Sequence, residues 1–90
     1  MSKREQTVSK FLSDAEPGCP DAQYDVGLMY ATGHGAPQDN VLAHMWFNIA
    51  VLSGVARARE ERKSLSVDMT AGEIATAQRM ARERTAQLAA

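Results

Sequence analysis

The sequence contains few of the residue types on which many enzymes and secreted proteins depend. Cys19 is the only cysteine among the 90 residues, so no internal disulfide and no cluster of thiolate zinc ligands can form. Aromatic residues make up 6% and prolines number three, whereas alanine is frequent, a composition typical of closely packed helices. A chain of this length forms one domain at most and has little room for a large substrate cavity.

Long apolar runs are also missing. No stretch approaches the roughly 18 apolar residues that suggest a membrane span, and the first ten residues lack the apolar segment of a signal peptide. A single cysteine is typical of a reducing compartment. We therefore expect a cytoplasmic protein with no membrane partner.

The charges are nearly balanced but unevenly distributed. The formal net charge of −1 argues against a nucleic-acid-binding protein that is held by bulk charge. Lysine and arginine are absent between Phe11 and Gly54, whereas residues 55–90 have an excess of basic residues. The middle of the chain is therefore acidic, and its C-terminal part is mildly basic.

Start and stop signals divide the chain into five predicted helices. The first extends from about Lys3 to Ala15, the second from Pro20 to near Gly33, the third from an Asp39 cap to Ser53, the fourth from about Val55 to Val67, and the fifth from Thr70 towards Leu88. Thr70 and Glu73 have the spacing of a capping box, in which each side chain accepts a hydrogen bond from the other residue's backbone N–H.

The third predicted helix is the most apolar segment of the chain. Two apolar ridges cover most of its circumference, and the polar residues between them are Asn40, His44 and Asn48. The ridges are Ala43, Trp46, Phe47 and Ala50, and Leu42, Met45, Ile49 and Leu52. A helix of this kind is buried on more than one side, so we expect it to form the core with Trp46 inside.

A weak internal repeat accompanies this pattern. Shifting the sequence by 36 residues places Gly18 on Gly54, Ala22 on Ala58 and Phe11 on Phe47. A period in the thirties with two helices per unit is typical of helical solenoids.

Small, aromatic and turn residues at fixed offsets give the middle of the chain a family resemblance. These residues are Ala22, Tyr24, Gly27, Tyr30, Gly33, Gly35, Pro37, Asp39, Ala43, Trp46, Phe47, Ala50 and Gly54. Residues 18–58 resemble the Sel-one-like (Sel1-like) repeat, a branch of the tetratricopeptide-type helical repeats with a longer loop between its two helices. The resemblance implies an all-α protein, a short α/α solenoid of about five antiparallel helices.

The shift of 36 residues indicates how the chain is divided, and the resemblance implies a closing helix and a function. A half repeat or cap helix is expected at 3–17, a complete repeat at 18–54, and a degenerate repeat with a closing helix at 55–90. The implied function is that of a non-catalytic adaptor that binds another protein or peptide. No catalytic residue, cofactor, metal ion or small-molecule substrate is implied.

The glycines of the second helix and its turn have two interpretations. They either cradle a phosphate or allow two helices to touch and the chain to turn, and the sequence lacks the strand and the lysine that a phosphate loop requires. We therefore predict that Gly27 is a helix-contact glycine, with Ala43 and Ala50 as the small residues opposite it. Gly33 and Gly35 are expected to have positive φ angles.

Candidate catalytic and metal-binding residues are few. His34 and His44 do not have the HxxxH or HExxH spacing of metal sites, so we expect them to be exposed or hydrogen-bonded. Cys19 has no neighbouring histidine or lysine that would activate it as a nucleophile. The run of charges around Glu60 and Glu61 is typical of a solvated helix face.

Asp21 and Asp25 are the candidate partner-binding residues, because they lie one helical turn apart in a segment without basic residues. We expect them to contact a basic protein or peptide. The alternative is a homo-oligomer, in which the basic last helices of one copy meet the acidic middle of another.

A hydrolase is a weaker alternative. Some cysteine-rich relatives of this repeat were described as β-lactamases, but the SxxK motif is absent here. A nucleic-acid-binding module would require one basic face formed by Arg57, Arg59, Arg79, Arg82 and Arg84.

Overall fold

The computed structural model describes residues 3–89, with side chains described for residues 7–87. The side chains of Lys3, Arg4 and Glu5, which contribute to the charge pattern, lie outside this part. The described residues form five helices and no strand, which confirms the all-α prediction. The helices are α1 (Lys3–Ala15), α2 (Pro20–Thr32), α3 (Asn40–Leu52), α4 (Ala58–Ser66) and α5 (Ala71–Ala89).

The fourth helix begins later than predicted. Val55 N donates to Ala50 O, and the backbone bonds from Ala58 to Val55 and from Arg59 to Ala56 are those of a turn. The chain therefore uses the residues after Gly54 to reverse its direction, and helical bonding starts at Ala58. The other predicted helices match the structure to within about two residues, the usual uncertainty at helix ends.

The helix ends have the predicted capping interactions. Asp39 accepts a hydrogen bond from Leu42 N at 3.0 Å, and Gly33 ends α2 with φ 78° while its N–H donates to Met29 O. Thr70 and Glu73 form the reciprocal bonds of the capping box, with distances of 2.9 and 3.1 Å. These bonds satisfy backbone groups that have no partner within the helix itself.

The third helix is the core of the domain, as predicted. It packs against α2, α4 and α5, while α1 packs against α2. Trp46 is 2% exposed and lies in a cluster with Met45 and Ile49, to which α1, α2 and α5 also contribute. On the opposite side of α3, Phe47 forms a second cluster with small residues of α3 and α4.

Gly27 is a helix-contact glycine, but the residue opposite it is not the predicted one. A Cβ atom at position 27 would lie 2.5 Å from Phe47 Cε1, so the missing side chain makes room for an aromatic ring. Ala43 and Ala50 are fully buried in the same cluster but do not occupy the space in front of Gly27. The missing side chain at Gly27 therefore lets the Phe47 ring approach the backbone of α2 closely.

Two of the three polar residues of α3, His44 and Asn48, are buried as well, in a hydrogen-bonded contact with α4. His44 Nε2 lies 3.1 Å from Ser66 Oγ, and Ser66 Oγ donates to Arg62 O. Asn48 Nδ2 lies 3.2 Å from His44 Nδ1, and Asn48 Oδ1 accepts from Arg62 Nη1. A neutral imidazole with its proton on Nε2 satisfies every member of this network.

This network predicts that the stability of the protein depends on pH. Burial of the ring, together with the nearby Arg62 guanidinium, lowers the pKa of His44 below its ordinary value of 6.5. The unfolded chain therefore takes up a proton at His44 at a higher pH than the folded protein does. The stability that results from this difference is complete above about pH 6.5, begins to decrease below that value, and is lost as the pH falls through the lower pKa of the folded state.

We expect the free energy of unfolding in urea to be lower at about pH 5.5 than at about pH 7.5, and the decrease to be smaller in His44→Gln. His34 is exposed, so His34→Gln is the matched control and should keep the wild-type decrease. An equal decrease in His44→Gln and the wild type would show that other groups cause the pH dependence.

Candidate interaction site

The outer face of α2 carries the two predicted partner-binding residues. Asp21 is exposed and Asp25 is half-buried, and Leu28 and Thr32 continue the same face at helical spacing. We call these four residues the acidic stripe. Asp25 lies two residues before Gly27 on α2. Because each residue of an α-helix rotates the chain by about 100°, the Asp25 side points about 160° away from the contact between Gly27 and α3. The acidic stripe therefore points outward from the α2–α3 pair.

A groove between α1 and α2 borders the acidic stripe. Its volume is about 330 Å³, and its walls include Phe11 and Met29 as well as three residues of the acidic stripe. His34, at the turn after α2, also lines the groove. An apolar pocket thus lies beside the Asp25 carboxylate, a combination that the sequence did not indicate because Phe11 belongs to another helix.

The carboxylates of the acidic stripe are in no ion pair with the part of the chain whose side chains are described. The ion pairs found there join Arg79 to Glu83 at 3.7 Å and Arg84 to Glu16 at 3.9 Å. The side chains of α2 and α3 include no lysine or arginine. Within the described side chains, the charge on Asp21 and Asp25 is therefore not neutralised by an ion pair.

Tyr24 connects α2 to the beginning of α4. Its ring lies 5.9 Å from that of Phe47, centroid to centroid, and the Arg57 guanidinium carbon lies 4.4 Å above it. Its hydroxyl donates to Glu61 Oε1 at 3.5 Å, and burial, followed by the Glu61 carboxylate, raises the pKa of Tyr24. The charged run of α4 is thus only in part a solvated face, because Arg57, Glu61 and Arg62 contact other helices.

The arginines named above for a nucleic-acid-binding face do not form one uninterrupted surface. Arg57 covers the Tyr24 ring, Arg79 pairs with Glu83, and Arg84 pairs with Glu16 and lies 5.1 Å from the Trp46 ring centre. Arg82 is exposed and in neither of the two ion pairs. The contiguous basic face that a nucleic-acid-binding module requires is interrupted by acidic partners.

The candidate metal-binding and nucleophilic residues lie apart within the described part of the chain. No group of three or more histidine, cysteine or acidic residues within this part is placed to hold a metal ion. Cys19 is exposed, and His34 and His44 lie on different elements. The sequence analysis predicts that both histidines are exposed or hydrogen-bonded. His44 is hydrogen-bonded and His34 is exposed, so this prediction is confirmed.

The remaining residues of the predicted motif have structural positions. Ala22, Gly27, Ala43, Trp46, Phe47 and Ala50 are buried, Tyr24 and Tyr30 are half-buried, Pro37 is exposed, and Gly33, Gly35 and Gly54 have φ angles of 78°, 89° and 101°. Glycine is favoured at the last three because other residues adopt positive φ at a cost. Gly18 and Gly54, which the shift of 36 residues aligns, share this conformation.

Comparison with known families identifies the repeat. The family model described as the Sel1 repeat matches residues 20–55, which include α2, the turn after it, and α3. A comparison with curated proteins gives no match. Within residues 3–89, no helix is both long enough and apolar enough to cross a membrane.

Proposed function

We propose that this chain, in which residues 20–55 form a Sel1-like repeat, is an adaptor that binds a basic segment of another protein through the acidic stripe. Sel1 repeats generally mediate protein–protein interactions, and the repeat is a non-catalytic fold. The observation that carries the proposal is that Asp25 lines an apolar groove and that neither Asp25 nor Asp21, one helical turn away, has an ion-pair partner in the described part.

The groove defines the chemistry of the bound segment. An apolar side chain of the partner fits between Phe11 and Met29, and a lysine or arginine beside it reaches Asp25. The apolar contact supplies most of the affinity, since it removes apolar surface from water. The two carboxylates mainly raise the association rate and exclude acidic segments.

This function predicts that Asp21→Lys combined with Asp25→Lys reduces binding without changing the fold. Both residues are on the outer face of α2, and substitutions of this kind usually change stability by no more than about 0.5 kcal/mol. A random peptide library displayed on phage and selected against the wild type should yield segments that combine basic and apolar residues. We expect the double variant to bind the selected peptides roughly tenfold more weakly or worse.

Glu60→Lys combined with Asp68→Lys is the matched control. It changes the net charge by the same amount at two exposed positions outside the groove, so it should bind the selected peptides like the wild type. Circular dichroism and melting temperature should be nearly the same for all three proteins. Acidic or uncharged peptides from the selection, or equal losses in the two double variants, would rule out the acidic stripe as the binding surface.

A further inference from the structure

A second groove lies on the other side of α3, around an exposed leucine. Leu52 is 67% exposed, a high value for a leucine at the end of the most buried helix. It lines two cavities, of about 340 and 320 Å³, that lie along α3 and α5. Because the cavities share Leu52, they form one surface, which we call the Leu52 groove.

One end of the Leu52 groove is basic. Arg62 of α4 and Arg82 of α5 both line the first cavity, and no residue that lines it is acidic. Arg82 is in neither ion pair of the described side chains, and Arg62 donates to the neutral amide of Asn48. Two cations with an exposed leucine beside them suit an occupant with carboxylates next to an apolar side chain.

The other end of the groove has an unused hydrogen-bond acceptor. Gln23 lines the second cavity and is 0% exposed, and its Nε2 donates to Ala15 O at 3.4 Å. Among the described residues, its Oε1 has no hydrogen-bond partner. A buried acceptor without a donor is unusual in folded proteins, but this atom is covered and lies beneath the wall of the groove, where a docked segment does not reach it.

The acidic stripe has the pattern that this groove requires. Asp21 and Asp25 lie about 5–6 Å apart, and Leu28 follows one turn later on the same face. Two carboxylates and a leucine on one helix face are complementary in charge and polarity to the two arginines and the exposed leucine of the groove.

The two surfaces cannot meet within one molecule. Phe47 is the α3 residue that faces Gly27 of α2, and Leu52, five residues later, is turned about 140° away from that contact. Asp25 is turned about 160° away from the same contact on the α2 side. The acidic stripe and the Leu52 groove therefore point in different directions, so a contact between them requires two copies.

We infer that a second copy of this chain docks its acidic stripe into the Leu52 groove. The inference rests on the proposed function of the acidic stripe and names a second copy as its basic partner. The contact is heterologous, since different surfaces of the two copies meet, and each new copy leaves one groove and one stripe free at the ends. Association should therefore continue beyond the dimer unless the geometry closes a ring.

Sedimentation velocity of the full chain tests this inference. The average mass of the wild type should rise above that of the monomer as the concentration increases from micromolar to millimolar at low salt. It should fall back at about 1 M salt, where the Debye length is about 3 Å. Leu52→Glu with Arg82→Glu, which removes the groove, and Asp21→Lys with Asp25→Lys, which removes the stripe, should each be monomeric.

Mixing the two double variants is the decisive measurement. The groove variant retains an intact acidic stripe, and the stripe variant retains an intact Leu52 groove, so one wild-type contact can form. The mixture should give a 1:1 complex that does not grow further. Circular dichroism should be helical for both variants, because the four substituted positions are exposed or half-buried.

A wild type that stays monomeric over the whole concentration range, or a mixture that stays monomeric, would overturn the inference. A monomeric wild type that still selects basic peptides through Asp21 and Asp25 would overturn self-association alone and leave the proposed function intact. If the wild type self-associates as described but selects no basic peptides, the proposed binding of another protein would be wrong. The acidic stripe would then serve only contacts between copies of this chain.

Discussion

Gly27→Leu should destabilise the domain by about 3 kcal/mol or more, because inserted methylene groups in a packed core cost about 1–3 kcal/mol and here displace a ring. The first added atom, Cβ, would already lie 2.5 Å from Phe47 Cε1. Phe47 is 1% exposed and has no room to retreat without moving α3 away from α2. Urea unfolding followed by the fluorescence of Trp46 measures the change.

Gly72→Leu is the matched control for this substitution. Gly72 is also a helical glycine, but it is exposed, and a Cβ atom there would meet only Thr70 Oγ1 at 3.9 Å. The control should unfold at the same or a slightly higher urea concentration, because glycine within a helix costs up to about 1 kcal/mol relative to better helix formers. Equal losses at positions 27 and 72 would contradict a close contact between α2 and Phe47.

Trp46→Ala should destabilise the protein by about 3–5 kcal/mol, which is the usual cost of removing a large aromatic side chain from a core. A domain of this size has a total stability of roughly 5–15 kcal/mol, so the loss is a large fraction of it and the melting temperature should fall markedly. The indole packs against residues of α1, α2 and α5 and also lies under the Arg84 guanidinium. Circular dichroism during thermal unfolding is the direct measurement.

Two further observations test the position of Trp46. Its fluorescence in the wild type should be blue-shifted and protected from iodide, since the side chain is 2% exposed. Leu52→Ala, which truncates a side chain at the exposed end of the same helix, should change stability by no more than about 0.5 kcal/mol. Red-shifted and freely quenched fluorescence would place the core elsewhere.

Local signals were sufficient to predict most of the fold. The Asp39 cap, the capping box at Thr70 and the left-handed turn at Gly33 depend on residues within four positions of each other, and all are present. The central position of α3 followed from its two apolar ridges, because a helix with little polar surface has to be covered by neighbours.

Contacts between helices could not be predicted in the same way. Ala43, Phe47 and Ala50 share one ridge, and which of them faces Gly27 depends on the axial register of two helices. The sequence likewise gives no sign that Asn48 of α3 meets Arg62 of α4. Of the candidate site, the spacing of Asp21 and Asp25 was visible, but the groove beside them exists only because α1 packs against α2.

The hydrogen-bonded network between α3 and α4 indicates that the helices of the domain do not all separate from one another at the same cost in free energy. Ala58 is the one fully buried residue of α4, and the helix is held by the packing of Ala58 and Leu65 against the Phe47 cluster and by the hydrogen bonds of His44, Asn48 and Arg62. Detaching α4 would uncover one side of this cluster, a smaller apolar area than global unfolding exposes, and would therefore depend less on denaturant and involve a smaller change in heat capacity. Separating α2 from α3 would expose Phe47 and the surface around it, and so resembles global unfolding. Partial opening of the native state should accordingly begin at α4, while the repeat of α2 and α3 remains closed.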